Sequence, residues 1–190
     1  MFSSWSGSRI RLRAIEPDDD TYYRDFADDI TGARDVFMVE PPRSRERLRK
    51  DIERTGLSET SDDSFALAIE RIDDPGMIGA ISTHRTNART GTFSYGLAVS
   101  QAHRRRGYGI EAARIVLTYM FTERRYHKCL VDIHAGNTAS LRLHHRLGFS
   151  EEGLLREQEY LAGHHCDVVL MGLLGREFRK AQQATPQSHE

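Results

Sequence analysis

Residues 104–109 read Arg-Arg-Arg-Gly-Tyr-Gly, and this glycine segment contains the residue types best suited to binding a ligand. Gly107 and Gly109 lack a Cβ atom, so the backbone can turn tightly and come close to a bound group. An apolar periodic stretch begins at Ile110 and predicts a helix, whose first N–H groups and dipole favour an anion. The preceding arginines add positive charge. The segment therefore indicates a site for a phosphate-bearing ligand.

The glycine segment alone leaves a second interpretation open, because a flexible, solvated basic loop before a helix has the same composition. The segment is not a Walker A motif, since it lacks the Gly-Lys-Ser/Thr ending. It also follows several predicted antiparallel strands, whereas the dinucleotide-binding motif with three glycines follows the first strand of a parallel βαβ unit. These two nucleotide-binding motifs are thus excluded, and a phosphate ligand bound in the middle of the chain remains.

The composition limits the class of protein. A chain of 190 residues suits one domain, which we place at residues 8–178, and we expect the polar tail at residues 179–190 to be disordered. The net charge of −1 disfavours binding to nucleic acid or an anionic membrane, and no apolar stretch approaches the roughly 20 residues of a membrane-spanning helix. Cys129 and Cys166 are far apart in the sequence, and the first residues do not resemble a signal peptide. We therefore expect a cytoplasmic protein without a disulfide framework.

The elements before the glycine segment are predicted from periodicity and turn signals. Residues 9–15 alternate between apolar and polar types and predict a strand, and the acidic residues after Pro17 predict a helix to about Asp28. Ser44 can cap a charged helix that runs to Arg54. Three strands follow, of which the first two form a hairpin around an Asp-Pro-Gly turn: residues 65–69, 77–82 and 92–99.

The elements after the glycine segment include two helices. Residues 110–125 carry an apolar stripe at spacings of three and four, which predicts the first helix. A short strand is predicted at residues 130–135, and the second helix follows it, with Asn137 able to cap its start and Gly148 able to end it. A final hairpin is predicted from two further strands: residues 154–161 and 167–174.

Several motifs of this sequence resemble those of a known family. The pattern Arg104-x-x-Gly107-x-Gly109 resembles the pyrophosphate-binding motif Gln/Arg-x-x-Gly-x-Gly/Ala of the GNAT superfamily of N-acyltransferases. Further segments, in the same order, resemble the RimJ/RimL-type branch, which acetylates ribosomal-protein N-termini: Ile10-Arg11-Leu12-Arg13, Pro17-Asp18-Asp19, Glu111-Ala112, Asn137-Thr-Ala-Ser140, Leu147-Gly148-Phe149, Glu152-Gly153, Arg156 and Gly163-His-His-Cys-Asp167. The resemblance implies an α/β (α+β) fold of GNAT type, with a mixed, mostly antiparallel central sheet that is splayed in the middle and flanked by helices.

The resemblance also implies a ligand, acetyl-CoA, which acts as co-substrate without a metal. Backbone N–H groups of residues 105–109 would hold the CoA diphosphate. The pantetheine arm would lie in a gap between the end of the strand at 92–99 and its parallel neighbour at 131–135, and Gly96 would permit a bulge there. The residues implied to bind acetyl-CoA are Leu97, Ala98, Val99, Arg104, Arg105, Arg106, Gly107, Tyr108, Gly109, Asn137 and Ser140.

Asn137 and Ser140 are the residues that the resemblance makes catalytic. Their spacing of three places both side chains on one face of a helix. In the family this pair lies beside the pantetheine and the thiol, so Ser140 would protonate or hydrogen-bond the departing thiolate. A structural interpretation is also open, because an Asn cap followed by a serine in the first turn is favourable in any helix.

The general base is the point at which the sequence departs from the family. Many relatives have a glutamate in the strand before the glycine segment, where this chain has Ser94, and serine is a poor base at neutral pH. Four nearby residues are candidate substitutes: His84, His134, Glu157 and Tyr160. A further alternative is that no dedicated base exists and that an amine of low pKa binds already neutral. The pairs His144-His145 and His164-His165 lack the further ligands of a zinc site, so we expect no metal.

These observations predict an enzyme that moves acetyl from acetyl-CoA to a primary amine by direct attack on the thioester. The amine would belong to a protein N-terminus or to a small molecule, and a larger acyl group such as succinyl is an alternative. A second alternative is a non-catalytic acyl-CoA-binding module, for which Ser94 is the only support. Binding of nucleic acid through residues 104–106 is disfavoured because the basic cluster is short. Relatives are often dimers, so a homodimer is a further hypothesis.

Overall fold

The computed structural model of the chain describes residues 5–37, 39–57 and 63–184. The strands are β1 (Ile10–Arg13), β2 (Ala66–Arg71), β3 (Met77–Asn87), β4 (Thr92–Val99), β5 (Lys128–His134), β6 (Ser150–Leu161) and β7 (His164–Leu174). The helices are α1 (Asp20–Asp28), α2 (Ile30–Asp35), α3 (Arg45–Leu57), α4 (Tyr108–Thr118), α5 (Thr138–Leu147) and α6 (Gly175–Ala184).

The strands form one seven-stranded sheet in the order β1-β2-β3-β4-β5-β7-β6. β4 and β5 pair in parallel, through residues 92–94 and 128–130. The pairs β1 with β2, β2 with β3, β5 with β7 and β6 with β7 are antiparallel. The predicted mixed, mostly antiparallel sheet flanked by helices is therefore confirmed.

The early strands and helices follow the sequence signals. Ile10 and Leu12 of β1 are buried on one face, as the alternation predicts. β2 and β3 form the predicted hairpin, with Gly76 in its turn at a φ of 144°, a backbone conformation that glycine adopts readily. The Ser44 hydroxyl accepts a hydrogen bond from the Arg47 N–H at 3.2 Å, so the predicted cap of α3 is confirmed.

Three helices differ from the sequence expectation. The helix predicted over residues 110–125 ends earlier, and a π-helical turn at Tyr119–Glu123 follows α4. α2 was not predicted, and the Asp29 carboxylate caps its start by accepting from the Gly32 N–H at 3.0 Å. α6 extends into the segment expected to be a tail, of which residues 185–190 lie outside the described residues.

The described chain groups into two compact units. The first unit comprises residues 5–84 and 95–119, and its buried core is mainly aliphatic: Ile10, Ile69, Ile81, Val116 and Leu117. The second unit comprises residues 85–94 and 120–184, and its core contains a cluster of edge-to-face and tilted aromatic rings: Phe93, Phe121, Tyr126 and Phe178. The glycine segment lies in the first unit, and Asn137 and Ser140 lie in the second.

Candidate functional site

The glycine segment follows β4 and a 3-10 turn at Gln101–His103. Arg105 and Gly107 both have left-handed backbones, with φ values of 62° and 85°. Left-handed residues within a turn direct successive backbone N–H groups toward one side, which forms a concave site for anions. Gly107 suits its position because a φ of 85° is a backbone conformation that residues with a Cβ atom rarely adopt. The local backbone therefore forms a tight turn with a concave side.

The start of α4 supplies hydrogen-bond donors to this concave turn. Among the described residues, no side chain caps the first turn of α4. Its first helical hydrogen bond runs from the Glu111 N–H to the Gly107 carbonyl at 3.2 Å. The N–H groups of Tyr108, Gly109 and Ile110 precede that bond, so the helix itself gives them no acceptor. Three donors at the positive end of the helix dipole can bind a phosphate.

Arg9 contacts the glycine segment and the first turn of α4, and these contacts were not predicted from the sequence. Arg9 Nη1 donates to the Arg106 carbonyl at 2.8 Å, and Nε and Nη2 lie 3.0 and 2.9 Å from Glu111 Oε2. The guanidinium carbon also lies 5.5 Å from the centroid of the Tyr108 ring. Arg9 and Arg106 are 97 residues apart in the chain, so no local pattern could have linked them.

The arginines of the segment have different surroundings. Arg104 Nε donates to the Val99 carbonyl at 2.9 Å, and its Nη2 forms an ion pair with Asp29. Arg104 thereby joins the end of β4 to the start of α2, and the side chains of Arg105 and Arg106 are exposed. Burial, together with the charge of Arg106, lowers the pKa of the neighbouring His103 below 6.5. At neutral pH the positive charge of the segment therefore comes mainly from its arginines.

The end of β4 is the strand edge implied to contact the pantetheine arm. Leu97, Ala98 and Val99 are half-buried, and the Ala98 carbonyl accepts a hydrogen bond from the Tyr22 hydroxyl at 3.4 Å. A Cβ atom on Gly79 would lie 2.6 Å from that carbonyl, so β3 can approach β4 here only with a glycine. The backbone of this strand end is thus fixed in place by its neighbours in the first unit.

Asn137 and Ser140 are brought together at the start of α5. Asn137 Oδ1 accepts a hydrogen bond from the Ser140 N–H at 2.9 Å, which is the predicted N-cap. Ser140 Oγ lies 3.3 Å from Nδ1 of His144, and the same Nδ1 lies 2.8 Å from the Ser140 carbonyl. The His144 contact was not predicted, although its spacing of four from Ser140 is the helical signal for it.

The residues considered for the general base are divided between the two units. Ser94 is only 3% exposed and cannot meet a substrate amine directly. In the first unit, His84 on β3 lies beside Gly96, and its Cε1 is 3.7 Å from the place of a Cβ atom there. In the second unit, His134 lies on β5, whereas Glu157 and Tyr160 are exposed on β6. The Glu157 N–H donates to Asp167 at 2.8 Å across a bulge in β6.

Within residues 5–37, 39–57 and 63–184, no group of three or more His, Cys, Asp or Glu side chains could hold a metal ion. No helix in the described part of the chain is long and apolar enough to cross a membrane.

A family model and several named proteins match this chain in sequence. The model of the Acetyltransferase (GNAT) domain matches residues 9–150. YokL of Bacillus subtilis (strain 168), named an SPbeta prophage-derived uncharacterized N-acetyltransferase, is 33% identical over 175 residues, which cover 92% of this chain and 94% of YokL. YdaF of the same organism, named a putative ribosomal N-acetyltransferase, is 26% identical over 180 residues, which cover 94% of this chain and 98% of YdaF.

Solved structures share the fold. A crystal structure of spermidine N-acetyltransferase from Vibrio cholerae in complex with CoA and spermine superposes with a TM-score of 0.79 at 21% identity, over 91% of this chain and 99% of that one. A probable acetyltransferase superposes with a TM-score of 0.80 at 24% identity, over 90% and 96% of the two chains.

Proposed function

Because this chain belongs to the GNAT acetyltransferase family, we propose that it transfers the acetyl group of acetyl-CoA to a primary amine. Membership of the family makes it an acyl-CoA-dependent N-acetyltransferase. The observation that carries the proposal is the uncapped start of α4, which directly follows the left-handed turn at Arg105 and Gly107. A diphosphate needs several donors on one side of a turn, and this arrangement supplies them.

On the acetyl-CoA side, we assign the diphosphate to the N–H groups of Tyr108, Gly109 and Ile110. Arg105 and Arg106 are exposed beside them and supply positive charge. Arg104 is already bound to Val99 and Asp29, so its contribution is to fix the strand end relative to the turn. The pantetheine arm is assigned to the backbone of residues 97–99.

In the reaction the neutral amine attacks the thioester carbonyl and forms a new C–N bond. The tetrahedral intermediate then collapses, the C–S bond breaks, and CoA leaves as a thiolate that needs one proton. We assign that proton to the Ser140 hydroxyl, and the amine nitrogen loses one proton in exchange. His84 is the base best supported, because it lies beside Gly96 in the unit that contains the end of β4.

The acceptor is either a protein N-terminus, as in the RimJ/RimL-type branch, or a small amine such as a polyamine. The names of YdaF and of the Vibrio cholerae spermidine enzyme represent these two classes. Thiol release from acetyl-CoA, measured with N-terminal peptides and with polyamines, identifies the class, and mass spectrometry locates the added acetyl group. Succinyl-CoA in the same assay tests a larger acyl group. The proposal would be contradicted if neither class of amine caused thiol release and mass spectra also showed no amine acetylated by acetyl-CoA.

A second candidate function is a non-catalytic acyl-CoA-binding module. Its support is Ser94, which is buried at the position where the family resemblance places a glutamate. Such a module would gain thermal stability with acetyl-CoA, as an enzyme would, because either would bind it only in the folded state. The module would release no thiol with any amine, and that result separates the two functions.

We further propose that the protein works in the cytoplasm as a homodimer. Cys129 and Cys166 are free thiols, which suits a reducing compartment. β6 lies at one edge of the sheet and exposes Leu154 and Leu155, the first of them to 55%. Analytical ultracentrifugation tests the dimer, and a monomer at micromolar concentration would contradict it.

A further inference from the structure

His144 is a buried imidazole in the second unit, and no assigned step uses it. Its side chain is only 5% exposed, and its ring packs edge-to-face against Phe149 with 5.0 Å between centroids. Burial lowers the pKa of His144 to about 4, although its hydrogen bond to the Ser140 backbone acts in the opposite direction. The charge of the neighbouring His145 lowers this pKa slightly further. The ring is therefore neutral throughout the range in which an acetyltransferase works.

The position of the hydrogen on this neutral ring follows from its partners. Nδ1 lies 2.8 Å from the Ser140 carbonyl oxygen, which can only accept a hydrogen bond. Nδ1 must therefore carry the hydrogen. The same nitrogen lies 3.3 Å from Ser140 Oγ, so its single hydrogen is shared, and Oγ accepts the weaker branch of a bifurcated hydrogen bond. His144 cannot remove the Ser140 proton through Nδ1, and a serine nucleophile activated by this histidine is excluded.

We infer that His144 is a positioning residue for Ser140. Its Nδ1–H donates to Ser140 Oγ, so the hydrogen of the Ser140 hydroxyl points away from the imidazole. This inference rests on the proposed function, in which the departing CoA thiolate takes the Ser140 proton. The hydroxyl then regains the proton that the amine nitrogen loses, through the base and solvent. His144 itself neither gains nor loses a proton in the cycle.

The kinetic test compares His144→Leu, which removes the donor and stays apolar, with His144→Asn, whose amide nitrogen can take the place of Nδ1. We expect His144→Leu to lower kcat about three- to ten-fold, the effect of one lost hydrogen bond, with the KM for acetyl-CoA within twofold of wild type. His144→Asn should recover most of kcat. In a Ser140→Ala background, His144→Leu should cause no further loss, because the residue acts only through that hydroxyl.

Equal losses from His144→Leu in the wild-type and Ser140→Ala backgrounds would overturn the inference, since a purely structural role is additive. An unchanged kcat in Ser140→Ala would overturn it as well. A second test does not depend on activity: ¹⁵N–¹H correlation spectra of the histidine rings show which nitrogen of His144 carries the hydrogen. The signal that disappears in His144→Asn is the signal of His144. A neutral ring protonated on Nδ1 at pH 7 is expected, and protonation on Nε2 would refute the inference. If the wild type acetylates no amine, the proposed function fails, and this spectrum still reports on His144.

Discussion

Replacing Arg9 tests whether residues outside the glycine segment determine its affinity for acetyl-CoA. In Arg9→Met the apolar stem stays, but the hydrogen bond to the Arg106 carbonyl and the ion pair with Glu111 are lost. The side chain of Arg9 is 50% exposed, so the ion pair contributes at most about 1 kcal/mol to stability. The bond to the carbonyl contributes about 0.5–1.5 kcal/mol. We expect a total loss of about 1–2 kcal/mol in the free energy of unfolding.

Only the bond to Arg106 acts on the backbone that we assign to the diphosphate. Its loss should weaken acetyl-CoA binding about 2- to 12-fold, which isothermal titration calorimetry measures. Arg11→Met is a matched control, because Arg11 follows Arg9 closely in the chain, within β1, is 52% exposed and pairs with the buried carboxylate of Glu70. The control should lose similar stability in urea unfolding, with the Kd for acetyl-CoA unchanged.

An equal Kd for Arg9→Met and Arg11→Met would refute the reasoning, because the effect would then follow stability alone. An Arg9→Lys variant sharpens the comparison, since lysine retains the charge but cannot donate to Arg106 and Glu111 through one planar group. We expect its affinity to lie close to that of Arg9→Met.

Three further results are expected. Gly107→Ala places a Cβ atom on a residue with a φ of 85°, 2.9 Å from Arg9 Nη2. The variant should lower the melting temperature by an amount equivalent to about 1–2 kcal/mol and should weaken acetyl-CoA binding. An unchanged Kd for acetyl-CoA would contradict the assignment of the site. Ser140→Ala should lower kcat more than affinity for acetyl-CoA, and equal losses would argue against a role at the thiolate. The hydrogen bond from Arg45 holds the pKa of Asp20 below its usual value, which is about 4 in the unfolded chain. The stability that this pair contributes is therefore present above about pH 4 and is lost as the pH falls through the lower pKa of the folded state. Asp20→Asn should flatten the pH dependence of the free energy of urea unfolding below about pH 4, and an unaltered slope would contradict this.

Much of the fold follows from local signals in the sequence. β4 has the predicted bounds because turn residues flank a run of β-forming side chains. α5 begins and ends where predicted, since Asn137 caps it and Gly148 ends it with a left-handed φ of 94°. α2 was missed because its six residues include a threonine and a glycine, and its stability comes from the Asp29 cap and its ion pair with Arg104.

Candidate site residues could be proposed from the sequence only where they lie close together in the chain. The glycine segment and the Asn137 and Ser140 pair are short local motifs, and their resemblance to family motifs made them candidate site residues. Arg9 was missed because its contact with Arg106 depends on tertiary structure. His144 was considered only as a metal ligand, because its burial and the direction of its ring cannot be obtained from spacing.

Above all, we propose that acetyl-CoA binds through the backbone at the start of α4. A titration of ¹⁵N-labelled protein with CoA, followed by amide chemical shifts, tests it most directly. The amide signals of Tyr108, Gly109 and Ile110 should show the largest shifts and slower hydrogen exchange, because each gains an acceptor that the helix does not provide. Saturable binding that leaves these three signals in place would contradict the account.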